Sequence, residues 1–211
     1  MPRGRRSAPA RVQWRKAKRP AGKQMDRLSR YKELLLSWNS RVNLIGPEVV
    51  RNLDDHIAEA IEAADLLRPS GEVLDFGSGG GLPAIPMAIV SPSAHVHLVE
   101  ADARKWAFLK HVVRECELDC EVHGTRLETL LPQLDRSLRF GLVTSRAVGR
   151  PERWVPWLAS HLSPQGRVAL FQADEAASVP GFRTAATHRL TRGDSNHLVV
   201  LEMFHVEQPN G

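Results

Sequence analysis

Residues 72–87 read EVLDFGSGGGLPAIPM. An apolar run ends on Asp75 and Phe76, glycine stands at 77, 79, 80 and 81, and an apolar stretch holding Pro83 and Pro86 follows. Glycine loses more backbone freedom on folding than any other residue, so a cluster of it lowers stability. A chain accepts that at the end of a buried strand when something must lie close against the backbone. Strand, tight loop and helix in succession form the opening unit of an α/β sheet.

Downstream of the loop the same alternation continues. Apolar patterning predicts a strand at 73–76, a helix at 84–90, a strand at 95–100, a helix at 105–117, a strand at 121–123 and a short helix at 127–131. A strand at 140–145, a helix at 154–162 and a strand at 166–172 follow. The chain then shows two strands, 183–190 and 196–204, with no helix between them, which predicts an antiparallel hairpin at one edge. These seven strands make a mostly parallel, Rossmann-like sheet with helices on both faces. Upstream, Leu28, Tyr31, Leu34, Leu35 and Trp38 form an apolar stripe on a helix over 26–46 that turns at Asn39 and Asn43. A second helical stretch over 47–67 carries Val50, Leu53, Ile57, Ile61 and Leu66, and Pro69, Ser70 and Gly71 end it.

The 211 residues suit one α/β domain with an extension, and a hydrophobic share of 42% suits a buried core. No apolar run approaches the roughly 20 residues of a membrane span, so no membrane contact is expected. Charge is unevenly placed. The net charge is +5, yet residues 1–24 hold nine Lys or Arg and no acid, leaving 20 basic against 24 acidic side chains in the remainder. The expected organisation is a basic tail over 1–24, a helical extension over 25–70 and a Rossmann-like domain over 71–211. The tail reads equally as an arm for nucleic-acid phosphates, a solubilising extension or a leader. The two cysteines, Cys116 and Cys120, make no disulfide framework and point to a reduced, cytoplasmic setting. The nine histidines show no ligand spacing, and no metal site is expected.

Two cofactor classes compete for the loop. A dinucleotide fingerprint, G-x-G-x-x-G, would need its third glycine at 82, where Leu82 stands. The spacing present is D-x-G-x-G-x-G over Asp75, Gly77, Gly79 and Gly81. An anionic Asp75 repels a pyrophosphate and attracts a sulfonium, so S-adenosylmethionine fits better than NAD. Glu100 ends the next predicted strand, 19 residues after Gly81, where a carboxylate can accept from two ribose hydroxyls. The segment Gly124 to Glu128, GTRLE, follows the third strand and offers backbone to an adenine ring. Arg146 follows the fourth strand as an ion-pair partner for Glu100 or Glu128, or as a contact for a phosphate or the cofactor carboxylate.

Together these residues resemble one family, the bacterial small-subunit ribosomal RNA guanine-N7 methyltransferases, also called glucose-inhibited division protein B. The resemblance covers about residues 31–172 and rests on SWNSRVNLI, His56, DFGSGGGLPAIPMAI, LVEADARKWAFL, TRLE and SRAV. It implies a class I S-adenosylmethionine-dependent methyltransferase fold. It further implies cofactor contacts at Gly77, Leu82, Glu100, Ala101, Asp102, Leu127, Glu128 and Arg146, to which the loop reading adds Gly79 and Gly81. Arg126, His56 and Asn43 fall on the substrate side. The implied substrate is a guanine in the decoding-region loop of 16S rRNA, within the small ribosomal subunit or an assembly intermediate, and the enzyme is expected to be a monomer. Guanine N7 carries a free lone pair, so no general base is expected and catalysis is proximity. The chain departs from the family at Ala84 (family Gly), at Glu59 and Ala60 (family Asp-Ser) and at Gln172 and Ala173 (family Lys-Gly). The lost Lys keeps two alternatives open: an RNA-binding or assembly protein on a methyltransferase fold, and a methyltransferase with another substrate.

Overall fold

The structure, a computed structural model, describes residues 20–172, 178–191, 193 and 197–204. Most of the basic tail, Trp14, Ala173 and His205 lie outside the described residues. Helix α1 (Gly22–Asn39), α2 (Pro47–Arg51) and α3 (Leu53–Leu67) precede the sheet. The strands are β1 (Gly71–Phe76), β2 (Ala94–Val99), β3 (Cys120–His123), β4 (Phe140–Arg146), β5 (Leu162–Gln172), β6 (Phe182–Arg189) and β7 (His197–Met203). Between them lie α4 (Ala84–Val90), α5 (Ala103–Glu115), α6 (Leu127–Leu130) and α7 (Pro151–Trp154).

The seven strands are ordered β3-β2-β1-β4-β5-β7-β6. Strands β1 to β5 pair in parallel, and β7 runs antiparallel to both β5 and β6. The final hairpin therefore enters the sheet through its second strand and leaves β6 at the edge. The chain order reverses between β1 and β4, and in such sheets that crevice receives ligands.

Burial follows the pleat. Val73, Val96, Leu98 and Leu142 face a core shared with α1, α3, α4 and α5. Leu74, Val99, Val143, Val168 and Leu170 face a second core closed by α6, Trp154, Val155 and Leu158. Both faces are covered, which is why these strands read as unbroken apolar runs.

Most element ends differ from the sequence reading by a few residues, and three of the differences have a local cause. Helix α1 begins at Gly22 rather than at 26, and Gln24 secures that start: its amide oxygen accepts from Ala21 N at 3.1 Å and its nitrogen donates to Ile89 O at 3.3 Å. The 47–67 stretch is two helices, broken at Asn52, whose φ of −112° leaves the helical region. The helix expected over 154–162 is a single turn of α7, then a 3-10 turn over Val155–Leu158, then β5 from Leu162. Pro156 supplies no N–H to continue that helix. Pro164 sits in β5 beside a register shift between Phe140 and Leu142, where a strand tolerates proline.

Candidate functional site

The residues singled out in the sequence converge on the C-terminal ends of β1, β2, β3 and β4. After β1, Gly77, Gly79 and Gly81 all take positive φ, at 75°, 52° and 87°. Ser78 Oγ donates to Asp75 O at 3.0 Å, and Gly81 N donates to Ser78 O at 2.6 Å. The glycines then divide in their surroundings. Gly77 and Gly79 keep part of their surface open, whereas Gly80 and Gly81 are buried. A Cβ on Gly81 would lie 2.6 Å from Ile85 Cγ1, so this glycine lets α4 pack against the loop. Leu82 is buried beside it.

A Cβ on Gly77 would lie 2.5 Å from Val148 Cγ2, in the loop after β4. That clash adds to the cost of a left-handed backbone, about 1–2 kcal/mol for an L side chain. Gly77→Ala is therefore expected to weaken S-adenosylmethionine binding at least tenfold. Gly46→Ala, whose Cβ meets nothing within 4 Å, should leave it unchanged. Isothermal titration of both variants checks this, and equal affinities would refute the role given to Gly77.

Glu100 is built into the loop rather than appended to it. One carboxylate oxygen accepts from Gly79 N at 2.8 Å, the other from Asp102 N at 2.8 Å. Each oxygen retains a lone pair for a ribose hydroxyl. Asp102 serves the next element: its Oδ1 caps α5, accepting from Arg104 N at 2.9 Å and Lys105 N at 3.1 Å. Those backbone donors, Lys105 first, hold its carboxyl below the usual range. Ala101 between them is exposed.

Past β3, Leu127 is fully buried in the second core, so only its backbone faces outward. Arg126 and Glu128 are exposed and stand 3.8 Å apart. A Cβ on Gly124 would meet the Trp106 indole at 3.0 Å, and Trp106 Nε1 donates to Val122 O at 3.2 Å.

Asp75 takes a different place from the one its charge suggested. It is 1% exposed, and Thr144 Oγ1 donates to its carboxylate at 2.6 Å, pinning β1 to β4. Burial pushes its carboxyl up to about 6, with the Glu100 charge adding and the Thr144 and Ser78 hydrogen bonds opposing. An unfolded Asp titrates near about 3.9. The folded protein thus holds this proton more tightly than the unfolded chain. The resulting cost is absent below about pH 4, grows between about pH 4 and 6, and is complete above that, reaching about 3 kcal/mol. Asn at this position keeps the acceptor for Thr144 and has no charge to bury. The stability of Asp75→Asn relative to the natural protein should therefore rise by about 3 kcal/mol between pH 4 and 7. Urea unfolding across that range decides it, and a flat difference would refute the assignment.

Arg146 pairs with neither Glu100 nor Glu128. Its guanidinium donates to Glu59 Oε2 at 3.1 Å and to His56 Nδ1 at 3.1 Å. An arginine cannot accept, so His56 Nδ1 is the acceptor and the ring proton sits on Nε2. His56 and Glu59 are both fully buried, which places His56 behind Arg146. Asn43, by contrast, is exposed in the turn before α2. A cavity of about 480 Å³ opens here, lined by Val49, Ser145, Arg146, Ala147, Val148, Phe171 and Gln172 among others. Ala147 and Arg150 in this loop hold positive φ, 60° and 59°, strain of a kind that gathers at ligand sites.

Sequence reasoning missed two residues. Glu59 appeared only as a departure from the family, although it is the partner of Arg146. Tyr31 appeared only in an apolar stripe. It is 0% exposed, and its hydroxyl donates to Gly80 O at 2.8 Å, tying α1 to the glycine loop. Burial drives that hydroxyl far above its ordinary pKa, so it remains a donor. The thiols stay free, and burial pushes Cys116 up to about 11 and Cys120 to about 12, so neither is a ready nucleophile.

The open glycine backbone and the immobilised carboxylate of Glu100 fit the ribose and chain of S-adenosylmethionine. Among solved structures, a Glu-to-Gln mutant of MtNAS in complex with S-adenosylmethionine shares the fold at a TM-score of 0.59 and 18% identity, over 86% of this chain and 72% of that one. A putative O-methyltransferase from Klebsiella pneumoniae does so at 0.58 and 14% identity, over 82% and 89%. Fold and site define an S-adenosylmethionine-dependent methyltransferase of class I. The chain is 35% identical over 144 residues to the ribosomal RNA small subunit methyltransferase G of Paramagnetospirillum magneticum, covering 67% of each. It is 34% identical over 160 residues to that of an Anaeromyxobacter species, covering 74% of each. Residues 24–185 match the family described as GidB, rRNA small subunit methyltransferase G, and the chain belongs to it.

Proposed function

We infer that this enzyme transfers a methyl group to N7 of a guanine in the decoding-region loop of 16S rRNA. What supports the reading most directly is the alignment of three features along one edge of the sheet, in a member of this family. These are the glycine loop, Glu100, and the cavity beside Arg146.

S-adenosylmethionine, once bound, supplies an electrophilic methyl group on a sulfonium centre. Glu100 takes the ribose hydroxyls, and Gly77 and Gly79 let the backbone lie close to the cofactor. Leu127 and Glu128 contribute from the loop after β3. The cavity lined by Ser145, Arg146 and Phe171 receives the base. Guanine N7 attacks with a lone pair it already holds, so no side chain removes a proton. Alignment of the two reactants is worth about 7–11 kcal/mol. Methylation makes the purine cationic, so a guanidinium at N7 would oppose the reaction. Arg146 therefore positions cofactor or phosphate, with His56 and Glu59 fixing its direction.

On the substrate side, Arg104, Arg126, Arg150 and Arg153 are exposed in or just after the loops that follow β2, β3 and β4. They form a positive rim around the cleft for RNA phosphates. N7 lies in the major groove, which A-form RNA makes deep and narrow, so the target base sits in a loop or in an incompletely assembled particle. No helix among the described residues is long and apolar enough to cross a membrane. The enzyme acts as a monomer in the cytoplasm, where its substrate is.

Labelled S-adenosylmethionine offered with purified small ribosomal subunits and with naked rRNA tests this, the modified base being mapped by N7-specific chain cleavage. Label on one guanine N7 upholds the reading. Cofactor binding without transfer to either RNA form would favour an assembly protein. In that event Gln172, which ends β5 at the cavity wall, is the first residue to change, to Lys.

A further inference from the structure

Three of the histidines that look scattered in the sequence are gathered in space. Register pairs Glu72 with His95, His97 with Glu121, and Val99 with His123, so Glu72, His95, His97, Glu121 and His123 share one face of β1, β2 and β3. His97 is 4% exposed, with its ring edge-on to Phe140 at 5.3 Å. Its Nε2 lies 2.8 Å from Glu72 Oε2, and its Nδ1 lies 3.0 Å from His123 Nε2 and 3.7 Å from Glu121 Oε2.

A carboxylate cannot donate, so His97 Nε2 carries the proton and Nδ1 presents a lone pair. This is the arrangement in which a carboxylate behind a histidine orients it for a metal. The His97 and His123 rings are parallel within 1°, with centroids 5.3 Å apart, which together with the short nitrogen contact makes them meet edge to edge. As it stands, His123 Nε2 donates to His97 Nδ1. We propose that His97 Nδ1, His123 Nε2 and the Glu121 carboxylate form a binding site for a divalent transition-metal ion of the zinc type, with Glu72 as the residue that orients His97.

The donor set is two imidazoles and a carboxylate, three ligands with one position left for water. Nitrogens on one tetrahedral zinc stand about 3.3 Å apart, close to the spacing already present. His97 is fixed by Glu72 and Phe140, so His123 moves, turning Nε2 sideways by about 2 Å to let both lone pairs meet at the ion. Its ring proton passes from Nε2 to Nδ1, beside Glu121 Oε1 at 3.8 Å, and no net proton is released. Glu121 is exposed, which gives an ion its way in. The ion would clasp β3, a four-residue edge strand, to β2. Glu100 N donates to His123 O at 3.1 Å, so the clasp lies one residue below the carboxylate that takes the ribose.

The test uses the full chain, freed of metal by a chelator and titrated with Zn²⁺ by calorimetry and with Co²⁺ by visible absorption. One saturating equivalent is expected, with ligand-field bands for Co²⁺. His123→Asn should abolish it, Glu121→Gln should weaken it at least tenfold, and Glu72→Gln by 10–100-fold. His188→Asn, on the far edge strand β6, should change nothing. Glu121 is exposed, so its variant reports even if a histidine variant folds poorly. The absence of saturable binding, or binding that His123→Asn or Glu121→Gln leaves at full strength, overturns the proposal.

Discussion

Glu100→Ala is expected to weaken S-adenosylmethionine binding at least a hundredfold while leaving the fold intact. Two losses combine. The ribose loses its acceptors, and Gly79 N and Asp102 N lose the carboxylate that fixes them at 2.8 Å each. Hydrogen bonds to a charged group contribute about 1.5–3 kcal/mol apiece, so two for the ribose alone amount to about 3–6 kcal/mol, or two to four powers of ten. Gln is no conservative substitute here. Its amide nitrogen would face a backbone N–H on one side or the other, donor against donor. Glu100→Gln should therefore fall much closer to Ala than to Glu, and calorimetric titration of both variants tests the assignment. A Gln variant that binds like the natural protein would show that the backbone clasp does not matter.

Arg146→Ala has the largest expected effect on stability. Removing one partner of a buried ion pair typically costs about 3–5 kcal/mol, because the remaining charge stays in the interior. For a chain of this size that lowers Tm by roughly 6–20 °C. Loss of methyl transfer alone would then not distinguish an unfolded enzyme from a misdirected cofactor. The pair of variants that does is Arg146→Ala and the double variant Arg146→Met with Glu59→Gln. The double variant removes both charges and fills the guanidinium's space, so its Tm should recover most of the loss. Methyl transfer to rRNA should stay at least a hundredfold down. Recovered stability together with recovered transfer would reduce Arg146 to a structural ion pair.

The parts of the protein that sequence made legible are those where local chemistry decides. The glycine loop and the helix after it are one example. Ala84–Val90 emerges from its residues because Pro86 sits in the first turn, where its missing N–H would have had no partner. The helix after β2 is legible from its apolar pattern, although it starts at Ala103, two residues before the expected 105, behind a cap from Asp102 that the sequence reading does not include. What stayed hidden depends on contacts distant in sequence. Tyr31 reaches Gly80 across 49 positions and Arg146 reaches Glu59 across 87. No periodicity or spacing encodes either contact. A tyrosine in an apolar stripe looks like core, which it is, and its hydroxyl has a second task that only the fold reveals. The histidine cluster is of the same kind: its members come from three strands and meet only through register.

The separation of Arg146 from Glu59 also bears on how the protein is made. Synthesis proceeds at about 5–20 residues per second, so the 87 positions between them take roughly 4–17 s. For that interval the carboxylate of Glu59 exists and the guanidinium that will receive it has not been made. Helix α3 cannot seat its inner face in final form until β4 arrives, and the crevice for the cofactor closes only when more than two thirds of the chain exists. The nascent chain therefore passes through a stage in which the inner face of α3 lacks its final partner, and the site is completed late.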